Sequence, residues 1–435
     1  MSTTHFTIKT HTVPCSHIRQ YPRATLSGRE EPLSLAVKQY IPLSDPTPQD
    51  GAITILAAHA NGFPKELYEP LWDALYVRLR SQGQSIRAIW IADVAWQGYS
   101  SELNEGKLGN DPYWTDHARD LFLLVNRFGD EFVRPVVGIG HSMGGHNLVN
   151  LALMHPRLFH SLVLLDPVIA RVPGAGNWLP ARASAVRRDI WPSRQAAREA
   201  FSRSKFYQSW HPGVLERWVE HGLRDLPTGL YPDVEAVEVR GRIAGQTPVT
   251  LRTSKHNEVF SFLRPNFVRD GVQDPGRRPD RRTHPDVDTA LEPPASPFYR
   301  AEPGETFHRL QFVRPSVLYV FGEKSEVSTK LLRADKMAVT GTGVGGNGGA
   351  KTGGTKEVAV DAGHLVAMEK VDECADHAAD WIGKEVGRWK REEEQWQKEI
   401  SETKPEERYT ISEEFKGVIS GDWLNKALAG EKAKL

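Results

Sequence analysis

Short apolar runs alternate with helical patterns over most of the chain. Buried strands are predicted over Ile53–His59, Ile86–Asp93, Val136–Gly140, Leu162–Asp166, Val317–Gly322 and, more weakly, Glu357–Val360. Uniformly apolar strands are typical of parallel sheets, because helices cover both of their faces. Helices are predicted over Tyr113–Phe128, Gly144–His155 and Leu365–Trp389, where apolar residues recur at helical spacing. This alternation predicts an α/β fold with a mostly parallel, doubly wound sheet.

The alternation breaks between about residues 170 and 312, a stretch rich in Trp, Arg and Pro. It predicts a cap, residues 170–312, inserted between two parts of an α/β core, residues 1–169 and 313–386. Inside the cap, residues 264–303 hold several prolines and a charge cluster, a composition that predicts a flexible loop. The remaining residues, 387–435, are predicted to form a charged tail.

Composition narrows the possible partners. The chain has 435 residues, and its 55 Lys and Arg balance its 55 Asp and Glu. A zero net charge argues against nucleic acid as the main partner, because phosphate binding needs a basic excess. No run of 18 apolar residues predicts a transmembrane helix. With only Cys15 and Cys374, far apart in the sequence, we expect neither a disulfide framework nor a structural metal site.

The last three residues carry a localisation signal. Ala433, Lys434 and Leu435 are similar to the Ser-Lys-Leu address that an import receptor reads at a free carboxyl end. They follow a polar stretch, which keeps such a signal accessible. We therefore expect localisation in the peroxisomal matrix, with the import receptor as a partner.

A pentapeptide after the third predicted strand suggests nucleophilic catalysis. Gly140-His141-Ser142-Met143-Gly144 has the pattern Gly-x-Ser-x-Gly between a strand and a helix. Glycines two residues on either side permit a tight turn that exposes the serine hydroxyl. Ser142 is therefore the predicted nucleophile.

A general base and an acid are needed beside such a serine. His364 follows the last predicted strand and is the predicted base. For the acid, Asp166 at the end of the fourth strand is favoured, because the usual place after the fifth strand holds only Glu323 and Glu326. Both glutamates stay open as alternatives.

An oxyanion hole requires two backbone N–H groups. One is expected from Met143, which directly follows the nucleophile. The other is expected from the loop after the first predicted strand, His59-Ala60-Asn61-Gly62, where Asn61 is the chosen donor.

These motifs resemble those of the α/β-hydrolase fold. The resemblance is closer to fungal peroxisomal acyl-CoA hydrolases of the mycophenolic-acid-pathway type and to related toxin-biosynthesis hydrolases. It rests on the pentapeptide Gly140–Gly144, on Gly363-His364, on the Asn61 loop, and on Arg87–Val94, Asp116–Leu121, Val137–Gly145, His155–Phe159 and Leu164–Pro167. The resemblance implies a triad of Ser142, Asp166 and His364, a thioester substrate, a cap over the site and a homodimer.

The prediction for function is a serine hydrolase that cleaves an acyl-CoA thioester without a metal or redox cofactor. Two features of the cap bear on the substrate. Between residues 171 and 225, ten Lys or Arg face five Asp or Glu, and this excess would attract CoA phosphates. The aromatic residues there would contact an acyl chain or fill the core of the cap. The alternatives are a carboxylester or triacylglycerol lipase, an acyltransferase and a catalytically silent binding protein.

Overall fold

A computed structural model of the protein describes residues 2–44, 48–171, 178–237, 239, 241–242, 245–265, 285–286, 298–421 and 428. The predicted flexible loop over 264–303 lies largely outside these residues, and the predicted targeting residues 433–435 lie outside them entirely. The chain divides into two compact units, Met1–Glu385 and Val386–Leu435. The predicted functional residues from the Asn61 loop to His364 belong to the first unit.

One large sheet organises the first unit. The strands of the described residues are β1 Phe6–Pro14, β2 Ser34–Pro42, β3 Ile53–Ala58, β4 Ile86–Ala92, β5 Val136–His141, β6 Ser161–Leu165, β7 Ile190–Trp191, β8 Leu223–Asp225, β9 Val249–Leu251, β10 Arg264–Pro265, β11 Phe298–Tyr299, β12 Ser316–Gly322 and β13 Thr355–Val360. Eight of them form the sheet in the order β1-β2-β4-β3-β5-β6-β12-β13. From β4 to β13 the strands are parallel, whereas β1 and β2 pair antiparallel at one edge.

Helices flank this sheet and fill the segment between β6 and β12. They are α1 Ser2–His5, α2 Glu69–Ser81, α3 Gly98–Leu103, α4 Trp114–Arg127, α5 Met143–Met154, α6 Trp178–Val186, α7 Arg194–Ser202, α8 Lys205–Gln208, α9 Pro212–His221, α10 Lys255–Phe262, α11 Glu302–Arg309, α12 Lys330–Val339, α13 Val366–Glu369, α14 Val371–Glu402 and α15 Glu413–Ser420. None of the helices that the structure describes has the length and apolar character that crossing a membrane requires.

The predicted fold class is confirmed. All six predicted strands are present, and every residue of β3, β5, β6 and β12 is buried, as expected for strands covered on both faces. The single helix predicted over 365–389 was wrong, because the chain breaks at Lys370 between α13 and α14. Strands β1 and β2 were not predicted.

The sheet topology determines where functional residues meet. Strands β3, β5, β6, β12 and β13 run parallel, so their carboxyl ends lie at one edge of the sheet, where ligands bind in open α/β sheets. The loops that carry the predicted functional residues all begin at this edge. Between β6 and β12 the chain forms helices α6–α11 and a small sheet in the order β7-β9-β8.

Candidate active site

Ser142 lies on a sharp turn between β5 and α5. Its backbone has φ 56° and ψ −117°, a conformation that residues with a side chain rarely adopt. The flanking glycines allow this turn. A Cβ at Gly144 would lie 2.1 Å from the carbonyl oxygen of Ala58, and a Cβ at Gly140 would lie 2.7 Å from that of Gly144. The close approach of α5 to β3 therefore depends on the Gly-x-Ser-x-Gly spacing.

A continuous chain of hydrogen bonds joins Ser142, His364 and Asp166. Ser142 Oγ lies 2.8 Å from His364 Nε2, and His364 Nδ1 lies 2.6 Å from Asp166 Oδ2. Because an ionised carboxylate only accepts hydrogen bonds, Nδ1 carries the imidazole proton and donates it to Asp166. Nε2 is then unprotonated and accepts from the Ser142 hydroxyl. The three side chains have the proton order that general base catalysis requires.

Asp166 is fully buried, directly after β6, and its backbone has a positive φ of 43°. Its Oδ1 accepts from the backbone N–H of Gly322 at 3.1 Å, and its Oδ2 accepts from the Ser325 hydroxyl as well as from His364. Burial opposes ionisation, but the hydrogen bond and charge of His364 and the hydrogen bond of Ser325 outweigh it. The pKa of Asp166 therefore lies below its ordinary value, and the group is a carboxylate at neutral pH.

The alternative acids, Glu323 and Glu326, lie elsewhere. Both are exposed in the loop after β12. Among the described residues, the carboxylate that contacts the His364 imidazole is that of Asp166. The neighbouring Ser325 is buried and donates to Asp166, so this loop reaches the site through a hydroxyl.

The candidate oxyanion donors are the backbone N–H groups of Met143 and Asn61. Met143 is the first residue of α5, so its N–H has no acceptor within the helix. Asn61 lies in the loop after β3, next to Gly62, whose N–H donates to Gln97 Oε1 at 2.8 Å. Within the described part of the chain, neither candidate N–H has a hydrogen-bond acceptor. Both remain available to a substrate oxygen.

The Asn61 side chain is held by other contacts. Its Oδ1 accepts from Gln97 Nε2 at 2.5 Å, and its Nδ2 donates to the backbone oxygen of Glu258 at 3.1 Å. Gln97 also donates to Ser261 Oγ at 3.0 Å, on the same helix α10 as Glu258. These contacts fix the loop against α10, so the backbone N–H of Asn61, and not its side chain, is the group that can face a reactant.

Aromatic residues of the segment between β6 and β12 pack mainly against one another. The ring pairs with centroids 4.7 to 6.2 Å apart join Trp191, Phe201, Phe206, Tyr207, Trp210 and Trp218. Phe63 extends this cluster to the loop after β3, with centroids 5.5 Å from Trp210 and 6.0 Å from Trp218. Trp178 contacts Phe298. The buried members form a local core that contacts the Asn61 loop through Phe63.

Ion pairs neutralise much of the basic excess between residues 171 and 225. Seven of its arginines pair with carboxylates: Arg171 with Asp335, Arg187 with Glu258, Arg194 with Asp225, Arg198 with Glu216, Arg203 with Glu199, Arg217 with Glu69 and Arg224 with Glu105. The excess therefore makes a weaker field than the sequence count suggests.

Access to the reacting hydroxyl is restricted. Ser142 is 5% exposed, whereas the His364 side chain is 31% exposed. A cavity of about 860 Å³ lies between residues 23–28 and the segment 189–260, and the described residues that line it include none of Ser142, Asp166 and His364. The His364 side of the triad is therefore the more open to solvent.

The described residues offer no evident metal site. No group of three or more His, Cys, Asp and Glu within them is arranged to hold a metal ion. The polar groups around Ser142 are the imidazole, the buried carboxylate and the backbone N–H groups described above. This set matches acyl transfer through a serine.

Comparison with known proteins agrees with this fold. The alpha/beta hydrolase family matches residues 55–377 of the chain. The chain therefore belongs to the alpha/beta hydrolase family, as the resemblance in its sequence indicated.

Individual relatives place the chain more narrowly. It is 43% identical over 411 residues to the type I acyl-CoA thioesterase mpaH' of Penicillium brevicompactum, with 92% of each chain covered. It is 30% identical to the Abhydrolase domain-containing protein AFT2-1 of Alternaria alternata, covering 58% of this chain and 84% of that one. Among solved structures, the peroxisomal alpha-beta-hydrolase Lpx1 of Saccharomyces cerevisiae has a TM-score of 0.64, at 17% identity, covering 99% of this chain and 98% of that one. At that identity the likeness concerns the fold.

Three residues near the site were not predicted from the sequence. Gln97 holds the Asn61 loop, and the backbone oxygen of Glu258 contacts that loop as well. Ser325 donates a hydrogen bond to Asp166. Gln97 and Glu258 carry no motif, because their roles come from contacts with residues distant in sequence. Ser325 had a weak signal: it occupies the loop where hydrolases of this fold usually place the acid.

Proposed function

We propose that the protein is a serine hydrolase that cleaves acyl-CoA thioesters through an acyl-enzyme on Ser142. The observation that carries the proposal is the hydrogen-bonded order Ser142–His364–Asp166, with contacts of 2.8 and 2.6 Å. The 43% identity to an acyl-CoA thioesterase over nearly the whole chain supports the thioester substrate.

The chemistry follows from the proton order. His364 Nε2 accepts the hydroxyl proton as Ser142 Oγ attacks the thioester carbonyl. The N–H groups of Asn61 and Met143 stabilise the oxyanion, and each such donor contributes about 3 kcal/mol in enzymes of this type. When the carbon–sulfur bond breaks, His364 returns the proton to the sulfur, and CoA leaves as a thiol. Water, deprotonated by His364, then releases the free acid and restores Ser142.

Asp166 acts on the imidazole. Its carboxylate orients the His364 ring and stabilises the imidazolium that forms when Ser142 loses its proton. Because Asp166 has a lowered pKa, it stays ionised throughout the cycle. None of these steps requires a metal or redox cofactor.

A substrate panel tests the proposal. Acyl-CoA esters of graded chain length are compared with matched oxygen esters and with glycerides, by release of free thiol or free acid. We expect turnover of CoA esters, and loss of turnover in Ser142→Ala. Preferred cleavage of glycerides would favour a lipase, and unchanged thiol release by Ser142→Ala would exclude the serine mechanism.

The cellular setting and layout are part of the same proposal. Residues 433–435 would direct the protein to the peroxisomal matrix through the import receptor, residues 170–312 would form the cap, and the homodimer stays a prediction. An N-terminal fluorescent fusion, with and without the last three residues, tests the localisation. Loss of a punctate peroxisomal signal on truncation is expected, and an unchanged distribution would contradict it.

A further inference from the structure

A buried histidine connects two loops of the candidate active site. His141 directly precedes Ser142 and is fully buried. Its Nε2 lies 3.0 Å from the backbone oxygen of His364, and its Nδ1 lies 2.9 Å from Tyr68 Oη. Tyr68, also buried, accepts the backbone N–H of Ala60 at 2.8 Å. Three hydrogen bonds thus run from the loop after β3 to the loop that carries His364.

Donor and acceptor chemistry fixes the direction of each of these three hydrogen bonds. The backbone oxygen of His364 can only accept, so His141 Nε2 carries a proton and donates it. In a neutral imidazole the other nitrogen, Nδ1, is then an acceptor, and the Tyr68 hydroxyl donates to it. This leaves a lone pair of Tyr68 Oη for the Ala60 N–H.

The charge state agrees with this order. Burial, with a further contribution from the charge of His364, lowers the pKa of His141 to about 3. His141 is therefore neutral at physiological pH, as one donating and one accepting nitrogen require. Burial raises the pKa of Tyr68 far above its ordinary value, so its hydroxyl stays protonated.

Both ends of this row of hydrogen bonds belong to groups of the proposed mechanism. Ala60 is bonded to Asn61, whose N–H is a proposed oxyanion donor. The Ala60–Asn61 peptide, which carries this N–H, is held through its oxygen, because the Ala60 oxygen accepts from His59 Nδ1 at 2.8 Å. The proton is on Nδ1, since His59 Nε2 accepts from the Val94 N–H at 2.9 Å. At its other end, the row of hydrogen bonds reaches the backbone oxygen of the general base, His364.

We propose that Tyr68 and His141 are positioning residues that hold the oxyanion loop and the His364 loop in a fixed relation around Ser142. The inference rests on the proposed function and goes beyond it, because neither residue touches the reacting atoms. Such alignment matters for rate, since a shift of about 1 Å at the reacting groups can cost about 100-fold. It matters less for substrate binding, because the oxyanion contacts are strongest in the transition state.

Tyr68→Phe removes only the hydroxyl. It leaves the Ala60 N–H and His141 Nδ1 without their partner, while the ring can still pack on Trp72, whose centroid is 6.0 Å away. We expect kcat to fall by about 10- to 100-fold with KM changed by less than about 3-fold. A purely structural role predicts lower thermal stability without this split between kcat and KM.

Tyr319→Phe is the matched control. Tyr319 is equally buried, on β12, and its hydroxyl also makes a buried hydrogen bond, with Thr340 Oγ1 at 2.8 Å. Its partner lies at the end of α12 and belongs to neither catalytic loop. Loss of this hydroxyl should lower stability and leave kcat within about 2-fold of the wild type.

A second variant covers the case in which Tyr68→Phe folds poorly. His141→Gln keeps an N–H that can donate to the His364 oxygen but loses the ring nitrogen Nδ1, the acceptor that the imidazole holds in front of the Tyr68 hydroxyl. The single variant His141→Gln should itself lower kcat by about 10-fold or more. Where Tyr68→Phe does fold, adding it to His141→Gln should have little further effect on kcat, because the connection is already broken. Full additivity of the two substitutions in the logarithm of kcat would contradict a shared role.

The closing experiment measures the rate at which a fluorophosphonate labels Ser142, at a temperature well below each variant's thermal midpoint. This reaction needs the serine, the base and the oxyanion donors, and it needs no thioester. We expect labelling of Tyr68→Phe or His141→Gln to be slowed by about 10-fold or more, with Tyr319→Phe unaffected.

The outcomes separate the two proposals. Equal labelling rates in wild type, Tyr68→Phe and His141→Gln would overturn the positioning role and leave the serine mechanism standing. Equal slowing in Tyr68→Phe and Tyr319→Phe would also overturn it, because any lost buried hydroxyl would then suffice. Failure of the wild-type protein to react would overturn the proposed function, and the positioning role with it.

Discussion

The loops after β6 and β12 begin at neighbouring parallel strands, yet they contribute different chemistry to the site. The loop after β6 brings the buried carboxylate of Asp166 to His364 at 2.6 Å. The loop after β12 carries two carboxylates, but Glu323 and Glu326 are exposed. The groups that β12 and this loop give to the site are neutral: the N–H of Gly322, the last residue of β12, and the hydroxyl of Ser325 in the loop both donate to Asp166.

This difference shows that one buried carboxylate and the groups that donate hydrogen bonds to it come from two neighbouring strands and their loops. A buried carboxylate is costly unless its oxygens accept hydrogen bonds, so the charge from one loop needs the donors from the other. The exposed glutamates have the right charge but lack this environment. The loop after β12 therefore stabilises the Asp166 carboxylate through neutral donors, and its own carboxylates stay exposed.

The largest fall in activity is expected when the carboxylate of Asp166 is removed. Asp166→Asn keeps the shape but can donate to Nδ1, which favours the wrong tautomer of His364. We expect kcat to fall by about 1,000- to 10,000-fold. Steady-state hydrolysis of an acyl-CoA ester by the folded variant measures it.

The matched controls are Glu323→Gln and Glu326→Gln, for which we expect changes below about 3-fold because both side chains are exposed. A severe loss in either glutamine variant together with a mild Asp166→Asn would reverse the assignment of the acid to the loop after β6.

A smaller loss of activity is expected when the Ser325 hydroxyl, which donates to Asp166, is removed. Ser325→Ala removes one hydrogen bond from a buried carboxylate and should lower kcat by about 10-fold, because hydrogen bonds to charged groups contribute about 1.5–3 kcal/mol. The pKa of Asp166 should rise, so activity should decline at a higher pH on the acidic side. The measurement is kcat against pH.

A double variant moves the carboxylate from one loop to the other. In Asp166→Asn with Ser325→Asp, the charge moves to the loop after β12. Partial recovery relative to Asp166→Asn alone is expected if proximity to His364 is what matters. No recovery, together with a silent Ser325→Ala, would show that the loop after β12 has no part in the acid's function.

The smallest effect on activity is expected at Lys336, on α12, whose Nζ lies 5.7 Å from the Phe321 ring centroid. Burial lowers the pKa of this amine from 10.5 to about 8. Between these values the unfolded chain holds a proton that the folded protein releases, so Lys336 costs stability below pH 8, and the cost fades as pH rises to 10.5. Lys336→Met should raise the free energy of unfolding at pH 7 by about 3 kcal/mol.

Denaturant unfolding at pH 7 and at pH 10 measures that gain, which should shrink at the higher pH. If the charge of Lys336 on α12 has no part in catalysis, kcat of Lys336→Met should stay within about 3-fold of the wild type. A large fall in kcat would mean that the positive charge of Lys336 is needed to keep Asp166 ionised.

The parallel sheet and the sharp turn at Ser142 were predictable because each depends on a pattern of neighbouring residues in the sequence. Strands β3, β5, β6 and β12 are buried on both faces and read as continuous apolar runs. The strand–Gly-x-Ser-x-Gly–helix order placed Ser142 on its turn. The antiparallel strands β1 and β2 were missed, because both carry alternating polar residues and lack the continuous apolar run of a buried parallel strand.

The supporting contacts were not predictable, because they join residues far apart in sequence. Tyr68 and His141 are separated by 73 positions, and Ser325 and Asp166 by 159. Each of these side chains has an ordinary identity, and its role comes from the partner that the fold brings to it. The identity of the acid was a preference on sequence grounds, since three carboxylates were compatible with the spacing.

Mass spectrometry of the protein quenched during turnover of an acyl-CoA ester tests directly whether an acyl-enzyme forms on Ser142. We predict a mass increase equal to the acyl group on the peptide that contains Ser142, and no such increase in Ser142→Ala. Continued thiol release with no acyl group on that peptide, or with the acyl group on another residue, would contradict it.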